Sequence, residues 1–97
     1  MPVGLLTLEI QIEYAQSLKD KRQVIRSLKD RLRARFNVAI AELAFQDLWQ
    51  RSRVGVVTIS GDATYLEEQL TAIAAEADEM LGRNLVSQKI EYVEEES

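Results

Sequence analysis

The 97-residue sequence predicts an α+β fold whose elements follow the order β-α-β-β-α-β. Apolar residues alternate with period two towards both ends of the chain, which indicates strands, and recur with helical spacing in two longer segments. Two short apolar runs, 38–45 and 54–59, lie between those segments and predict a hairpin. Right-handed crossovers then place both helices on one face of a four-stranded antiparallel sheet, which is the ferredoxin-like sandwich.

The first strand is predicted over residues 3–14, where an apolar face alternates with a polar one. The apolar face consists of Leu6, Leu8, Ile10, Ile12 and Tyr14. The polar face consists of Thr7, Glu9, Gln11 and Glu13 and should lie on the side of the sheet that the helices leave open.

The first helix follows, with Ser17 as its predicted N-cap and Asn37 as the residue that closes it. Its apolar stripe is Ile25, Leu28, Leu32 and Phe36. This spacing is typical of an amphipathic helix with one buried face.

The second strand of the hairpin has apolar residues on both sides. Ala39, Ala41, Leu43 and Phe45 lie on one side, and Val38 and Ile40 on the other. Because both sides are apolar, part of the sheet should meet another surface, and a second copy of the chain is the simplest candidate. We therefore expect a homo-oligomer.

The second helix is predicted to begin after the turn at 60–62, with Thr64 and Glu67 as a capping box and Gly82 just past its end. Its apolar stripe is Leu66, Leu70, Ile73, Ala77, Met80 and Leu81. A last strand is predicted over 85–93, with Val86, Ile90 and Tyr92 on one face. We expect residues 1–97 to form a single domain in which residues 94–97 are a frayed acidic tail.

The composition excludes several classes of function. The chain has no His and no Cys, so the commonest general base, the commonest metal ligand and all thiolate chemistry are absent. It also has no phosphate-binding glycine motif and no nucleophile elbow. We predict no enzymatic activity, metal or cofactor. The lack of a long apolar run or a signal-peptide pattern predicts a cytoplasmic protein without a membrane partner.

The net charge of −4 conceals a strong asymmetry. The segment 19–35 holds eight of the twelve bases and only two acids, a net charge of +6, whereas the rest of the chain carries −10. Such asymmetry indicates a nucleic-acid surface, an anion site or contact with an acidic partner surface.

Four bases of this segment, Arg22, Arg26, Lys29 and Arg33, fall close together on a helical wheel beside the apolar stripe, and Lys19 borders them. A row of cations at one-turn spacing suits the repeated phosphates of a nucleic-acid backbone. Two alternatives remain: a solvated helix face, or pairing with acids such as Glu76 or Glu79.

Lys19, Lys21 and Arg22 occupy the helix start, where cations oppose the helix dipole. Together with free N–H groups they would bind an anion such as phosphate. The alternative is that Lys21 and Arg22 reach an acid across the fold.

Trp49 is the only Trp and lies in the polar connection of the hairpin, near Arg51. If exposed, it would stack on a base or anchor a partner. The alternative is that it folds back over the edge of the core. The strand VGVVTI carries no aromatic residue, so base stacking on the sheet itself is not expected.

The chain resembles the YlxP-like family, a small bacterial family of unknown function. The resemblance covers nearly the whole chain and is most specific in three stretches: Ser17-Leu18-Lys19 with Lys21-Arg22, then 35–38, then 47–51. It implies a ferredoxin-like fold and, because genes of such proteins lie beside translation and ribosome-maturation genes, a ribosome- or RNA-linked role. It implies no catalytic residues. The acidic tail after Val93 departs from the family and would weaken RNA affinity.

The sequence therefore favours a non-enzymatic accessory protein that binds structured RNA or the ribosome through Lys19, Lys21, Arg22, Arg26, Lys29 and Arg33, with no DNA partner expected. The alternatives are a homo-oligomeric interaction module and a small-anion sensor.

Overall fold

The computed structural model describes residues 2–93. The strands are β1 (Val3–Gln11), β2 (Ala39–Ala44), β3 (Arg51–Ile59) and β4 (Leu85–Val93), and the helices are α1 (Leu18–Arg35) and α2 (Ala63–Leu81). A short 3₁₀ turn, Gly82–Asn84, joins α2 to β4. The order β-α-β-β-α-β is the predicted one, while the predicted acidic tail, 94–97, lies outside the described residues.

The four strands form one antiparallel sheet in the order β2-β3-β1-β4. The central strand β1 pairs with β3 on one side and β4 on the other, so that Leu8 lies between Val54 and Gln88. Both helices pack on one face of this sheet and share one core with it. The structure thus confirms the ferredoxin-like fold and the hairpin of β2 and β3.

The core is built from the apolar faces that the periodicities define. Its fully buried members include Leu6, Leu8, Ile10, Ile12, Leu28, Leu32, Val54, Val56, Leu66, Leu70, Ile73 and Ala77. Tyr14 is a correction to the predicted apolar face, because β1 ends at Gln11 and a turn closed by the bond from the Ala15 N–H to the Ile12 carbonyl leaves Tyr14 exposed.

Helix α1 begins as predicted and ends earlier than predicted. The Ser17 side chain accepts a hydrogen bond from the Asp20 N–H at 3.1 Å and so caps the first turn. Phe36, not Asn37, is the C-terminal capping residue, and it is extended with φ −135°. The chain passes almost directly into β2, so no left-handed residue is needed there.

Helix α2 begins one residue after Asp62, whose carboxylate accepts a hydrogen bond from the Tyr65 N–H at 3.1 Å. The predicted capping box of Thr64 and Glu67 is therefore wrong, because Thr64 already lies within the first turn. The helix lies very close to β1. A Cβ at Gly4 would come within 2.2 Å of the Leu70 side chain, so this approach requires glycine.

The second face of the sheet carries no helix and is apolar at one end. The strand register places Leu5, Val57 and Ala39 side by side on it, with Ile59 next to Val3. The other end is polar and holds the ion pair of Arg53 with Glu9. We refer to Leu5, Ala39, Val57 and Ile59 as the apolar sheet patch; Val57 is 39% exposed and Ile59 55%.

Candidate functional site

The bases of α1 divide between two sides of the helix. Arg31 and Arg35 face α2 and share the carboxylate of Glu76, at 2.5 and 2.9 Å, and Arg31 also lies 3.5 Å from Glu79. The hydrogen bond from Arg31 holds the pKa of Glu76 below its usual value, against the opposing effect of burial and with help from Arg35. These two arginines therefore join the helices, and Glu76 and Glu79 offset their charge.

The other side of α1 carries Arg22, Arg26, Lys29 and Arg33, hereafter the basic row. All four line one surface concavity of about 320 Å³. Within residues 2–93, no carboxylate lies within 4 Å of their charged groups. Bases of α1 thus do pair with Glu76 and Glu79, as the alternative predicted, but they are Arg31 and Arg35 and not members of the basic row.

The concavity of the basic row is positively charged overall. Its remaining lining residues are Lys21, Ile25, Asp30 and Glu42. Lys21 and Glu42 neutralise each other, so the basic row and Asp30 leave a net charge of +3.

Lys21 is a correction to the predicted surface contacts, because its side chain is 1% exposed. Its ammonium lies 3.1 Å from the Glu42 carboxylate. It also donates hydrogen bonds to the carbonyls of Phe45, Gln46 and Arg51 at 2.7, 3.1 and 3.3 Å. Lys21 therefore reaches an acid across the fold, which was the alternative prediction, and holds both ends of the connection between β2 and β3.

Glu42 completes this buried group. It lies in β2 opposite Val54 on the helix-covered face, and it accepts a hydrogen bond from the hydroxyl of Ser52, itself 1% exposed. A buried charge is tolerated only when it is paired and hydrogen-bonded, and both conditions hold here.

The helix start does not gather the three predicted cations. Lys19 is exposed and does not line the concavity of the basic row. Lys21 lines it but is buried and bound to Glu42, whereas Arg22 lines it from the surface. The Asp20 N–H donates to the Ser17 hydroxyl that caps the turn, and the Asp20 carboxylate accepts from the Gln16 N–H, just before the helix, at 2.9 Å. The residues described at this end of α1 therefore do not converge on a small-anion site.

Residues 46–50, hereafter the Trp49 loop, connect β2 to β3. Trp49 is 53% exposed and, with Leu48 and Arg51, lines a surface cavity of about 460 Å³. Trp49 therefore does not fold back over the edge of the core, which was the alternative prediction. Arg51 is exposed as well, with its guanidinium 4.1 Å from the centre of the Phe45 ring.

The α+β sandwich and its basic helix define a small ferredoxin-like protein, and comparison identifies its family. Residues 3–90 match the family described as "Protein of unknown function (DUF503)", and the chain belongs to that family. It is 36% identical over 76 residues to the uncharacterized protein YlxP of Bacillus subtilis strain 168. The matched region covers 78% of this chain and 83% of that protein. The predicted YlxP-like membership is thus confirmed.

Similar solved structures support the fold alone. A dimeric ferredoxin-like protein of unknown function from Thermobifida fusca has a TM-score of 0.57 and 14% identity, over 96% of this chain and 90% of that one. The designed protein Foldit4 has the same TM-score at 13% identity, over 98% of both chains. A designed protein without a natural history shares the fold, so the fold itself indicates no function.

No helix in the described part of the chain is both long and apolar enough to cross a bilayer.

Sequence reasoning missed the group formed by Lys21, Glu42 and Ser52. One signal was present, since Glu42 is the single charge in the apolar run 38–45. A charge on the buried side of a strand requires a partner, and that requirement would have pointed to a lysine or arginine of the neighbouring helix.

Proposed function

We propose that this protein is a non-enzymatic accessory protein that binds structured RNA, free or in the ribosome, through the basic row. The observation that carries the proposal is the division of bases in α1. Arg31 and Arg35 form ion pairs with Glu76, whereas all four members of the basic row line one concavity. Cations that have no carboxylate within 4 Å among residues 2–93, on one face of an otherwise acidic protein, form a directed contact surface for phosphates.

The spacing of the basic row suits an extended polyanion better than a small anion. From Arg22 to Arg33 the helix rises by about 16 Å, with a base at nearly every turn. A small anion would need cations that converge on one point, and the one inward-facing ammonium, that of Lys21, is already bound to Glu42 and three carbonyls. A phosphate backbone accepts charges spread along a line.

Phosphate contacts by themselves do not distinguish RNA from DNA. The resemblance to YlxP-like proteins, whose genes lie beside translation genes, supports RNA. The wide minor groove of A-form RNA and its flanking phosphates are recognised mainly by shape and charge, which is what a basic helix face supplies.

The decisive experiment measures binding of a fluorescein-labelled RNA hairpin by anisotropy over a salt series, with co-sedimentation of ribosomes at low and moderate salt. Four phosphate contacts give a slope of log K against log salt of roughly −3 to −4. Absence of binding to both the hairpin and ribosomes at low salt would show that the basic row is only a solvated helix face.

We also propose that two copies of the chain associate through the apolar sheet patch. Leu5, Val57 and Ile59 lie on a helix-free face, and the charged residues Arg53 and Glu9 beyond them already pair with each other. Glu91, which the register places beside Leu5 on this face, lies 3.6 Å from the ammonium of Lys89. A second copy presents the same surface, so a two-fold contact buries apolar area on both sides. The basic row lies on α1, which packs on the other face of the sheet, so this association does not cover it.

A further inference from the structure

We infer that the Trp49 loop is a stacking site for an unpaired RNA base, so that the RNA class bound by this protein is a duplex interrupted by a loop or bulge. This inference rests on the proposed RNA-binding function. It begins from the unusual position of Trp49, an aromatic side chain that is 53% exposed on a connection that the fold holds firmly.

The Trp49 loop is held at both ends. The Lys21 ammonium binds the carbonyls of Phe45, Gln46 and Arg51. The Gln50 side chain donates to the carbonyls of Glu13 and Ala15 at 3.0 and 3.2 Å, and the Gln50 carbonyl accepts from the Ile12 N–H at 2.9 Å. Trp49 is therefore presented in a fixed frame, which lowers the entropic cost of stacking a ligand on it.

Phe45 gives a second, independent sign that this conformation is imposed. It has φ 66°, and within the described residues it alone among non-glycine residues has a positive φ. A bulky residue in the left-handed region is strained, and such strain persists only where surrounding contacts enforce it. Here the Lys21 hydrogen bond to its carbonyl and the Arg51 guanidinium over its ring supply those contacts.

The Trp49 loop adjoins the basic row through Lys21. Lys21 lines the concavity of the basic row and touches the residues on either side of the loop. Trp49 is two residues from Arg51, so their Cα atoms lie no more than about 7 Å apart. An open surface depression of about 460 Å³ lies at the loop, and Leu48 and Trp49 supply its apolar lining beside Asp47 and Arg51. The basic row and the Trp49 loop thus meet at Lys21, and we take an RNA whose backbone follows the basic row to extend past this point and place an unpaired base on Trp49.

The class of RNA that fits this site follows from the position of Trp49 near the basic row. A duplex offers phosphates but no free base face, whereas hairpin loops and bulges offer both, and their bases stack on aromatic side chains. Arg51 and Asp47 both line the depression and offset each other in charge, so the phosphates of such an RNA are contacted by the basic row.

The test uses Trp49 as its own probe, because it is the only Trp in the chain. An RNA hairpin with an unpaired loop and a blunt duplex of the same stem are each titrated, with RNA anisotropy and Trp49 fluorescence recorded together. We expect the hairpin to bind more tightly and to quench Trp49, while the duplex binds weakly and leaves the fluorescence unchanged.

Variants of Trp49 then distinguish stacking of a base on the aromatic ring from nonspecific apolar contact at this position. Trp49→Ala should weaken hairpin binding by roughly 5- to 150-fold without changing duplex binding. Trp49→Phe should restore part of the affinity, and Trp49→Leu should not. Tyr65→Ala is the matched control, because Tyr65 on α2 is also 53% exposed. Urea denaturation of each variant establishes that it is folded.

The outcomes distinguish this inference from the proposed function. Equal binding of hairpin and duplex with no quenching overturns the stacking site and leaves the RNA-binding proposal standing. Absence of anisotropy change with either RNA overturns both.

Discussion

The ammonium of Lys21 lies 3.1 Å from the carboxylate of Glu42, and this pair joins the start of α1 to the edge strand β2. The adjacent residue, Arg22, opens onto the surface concavity and has no carboxylate within 4 Å in the described chain. Of these two neighbouring bases, Lys21 stabilises the fold, whereas Arg22 is part of the proposed contact with RNA.

Replacing Lys21 by Met should destabilise the fold by about 3–5 kcal/mol, since it leaves the Glu42 charge and three carbonyls without their partner. Urea denaturation measures the change. Lys19→Met, two residues earlier and exposed, is the control and should alter stability by less than about 0.5 kcal/mol. Equal stabilities of the two variants would contradict the structural role of Lys21.

Reversing Arg26 and Lys29 to Glu should abolish RNA binding without unfolding the protein, because both charges line the open concavity. Anisotropy and circular dichroism test the two parts of this expectation. A variant with Arg83 and Lys89 changed to Glu alters the net charge equally at exposed positions outside α1, and it should keep most of the binding. If both double variants lose binding alike, total charge and not the basic row controls the interaction.

Replacing Arg33 by Ala should make the salt dependence shallower by about 0.9 in log K against log salt, the contribution of one phosphate contact. The measurement is the anisotropy salt series, and the parent protein supplies the reference slope. A weaker affinity with an unchanged slope would mean that Arg33 acts on the shape of α1 and not on a phosphate.

Changing Val57 and Ile59 to Asp should convert a dimer into a folded monomer, because it places charges in the apolar sheet patch. Sedimentation at micromolar concentration reads the mass. Val86→Asp is the control, since Val86 is 61% exposed but lines a different concavity, beside Arg83. An 11.0 kDa monomer for the parent protein would refute the proposed assembly.

The link between Glu76 and the arginines of α1 should depend on pH. The pKa of Glu76 is lower in the folded protein than the usual 4.5, so the pair stabilises the fold fully above that pH and loses its effect as pH falls through the lower folded value. The stability difference between the parent protein and Glu76→Gln should therefore be largest near neutral pH and shrink below pH 4.5. Glu79→Gln, at an exposed carboxylate, should show little difference at any pH.

The sequence predicted the fold well because periodicity reports burial directly. Alternation in β1 and the stripe of α1 identified Leu8, Leu28 and Leu32 as core residues, all of which are fully buried. The errors fell at element ends. Asp62 and Thr64 are both good capping residues, and local sequence does not decide which one the chain uses.

The candidate site was predicted only in part. Helical spacing predicted that Arg22 and Arg26 share one surface of α1, and both line the same concavity; their role as a binding site stays a prediction. The same spacing carried no information on Lys21, because its partners lie 21 to 30 residues away and meet it only after helix and hairpin dock. Exposure of Trp49 likewise depends on Lys21 and Gln50 holding its loop, which are tertiary contacts.

The contacts of Lys21 also bear on the order of folding. Its hydrogen bonds span 24 to 30 residues of sequence, so the ammonium stays hydrated until α1 and the β2–β3 hairpin have come together. Desolvation before that point is unfavourable, because the charge would have neither water nor partners. A chain in which helix and hairpin have not docked would therefore lack both the strained turn at Phe45 and the fixed position of Trp49.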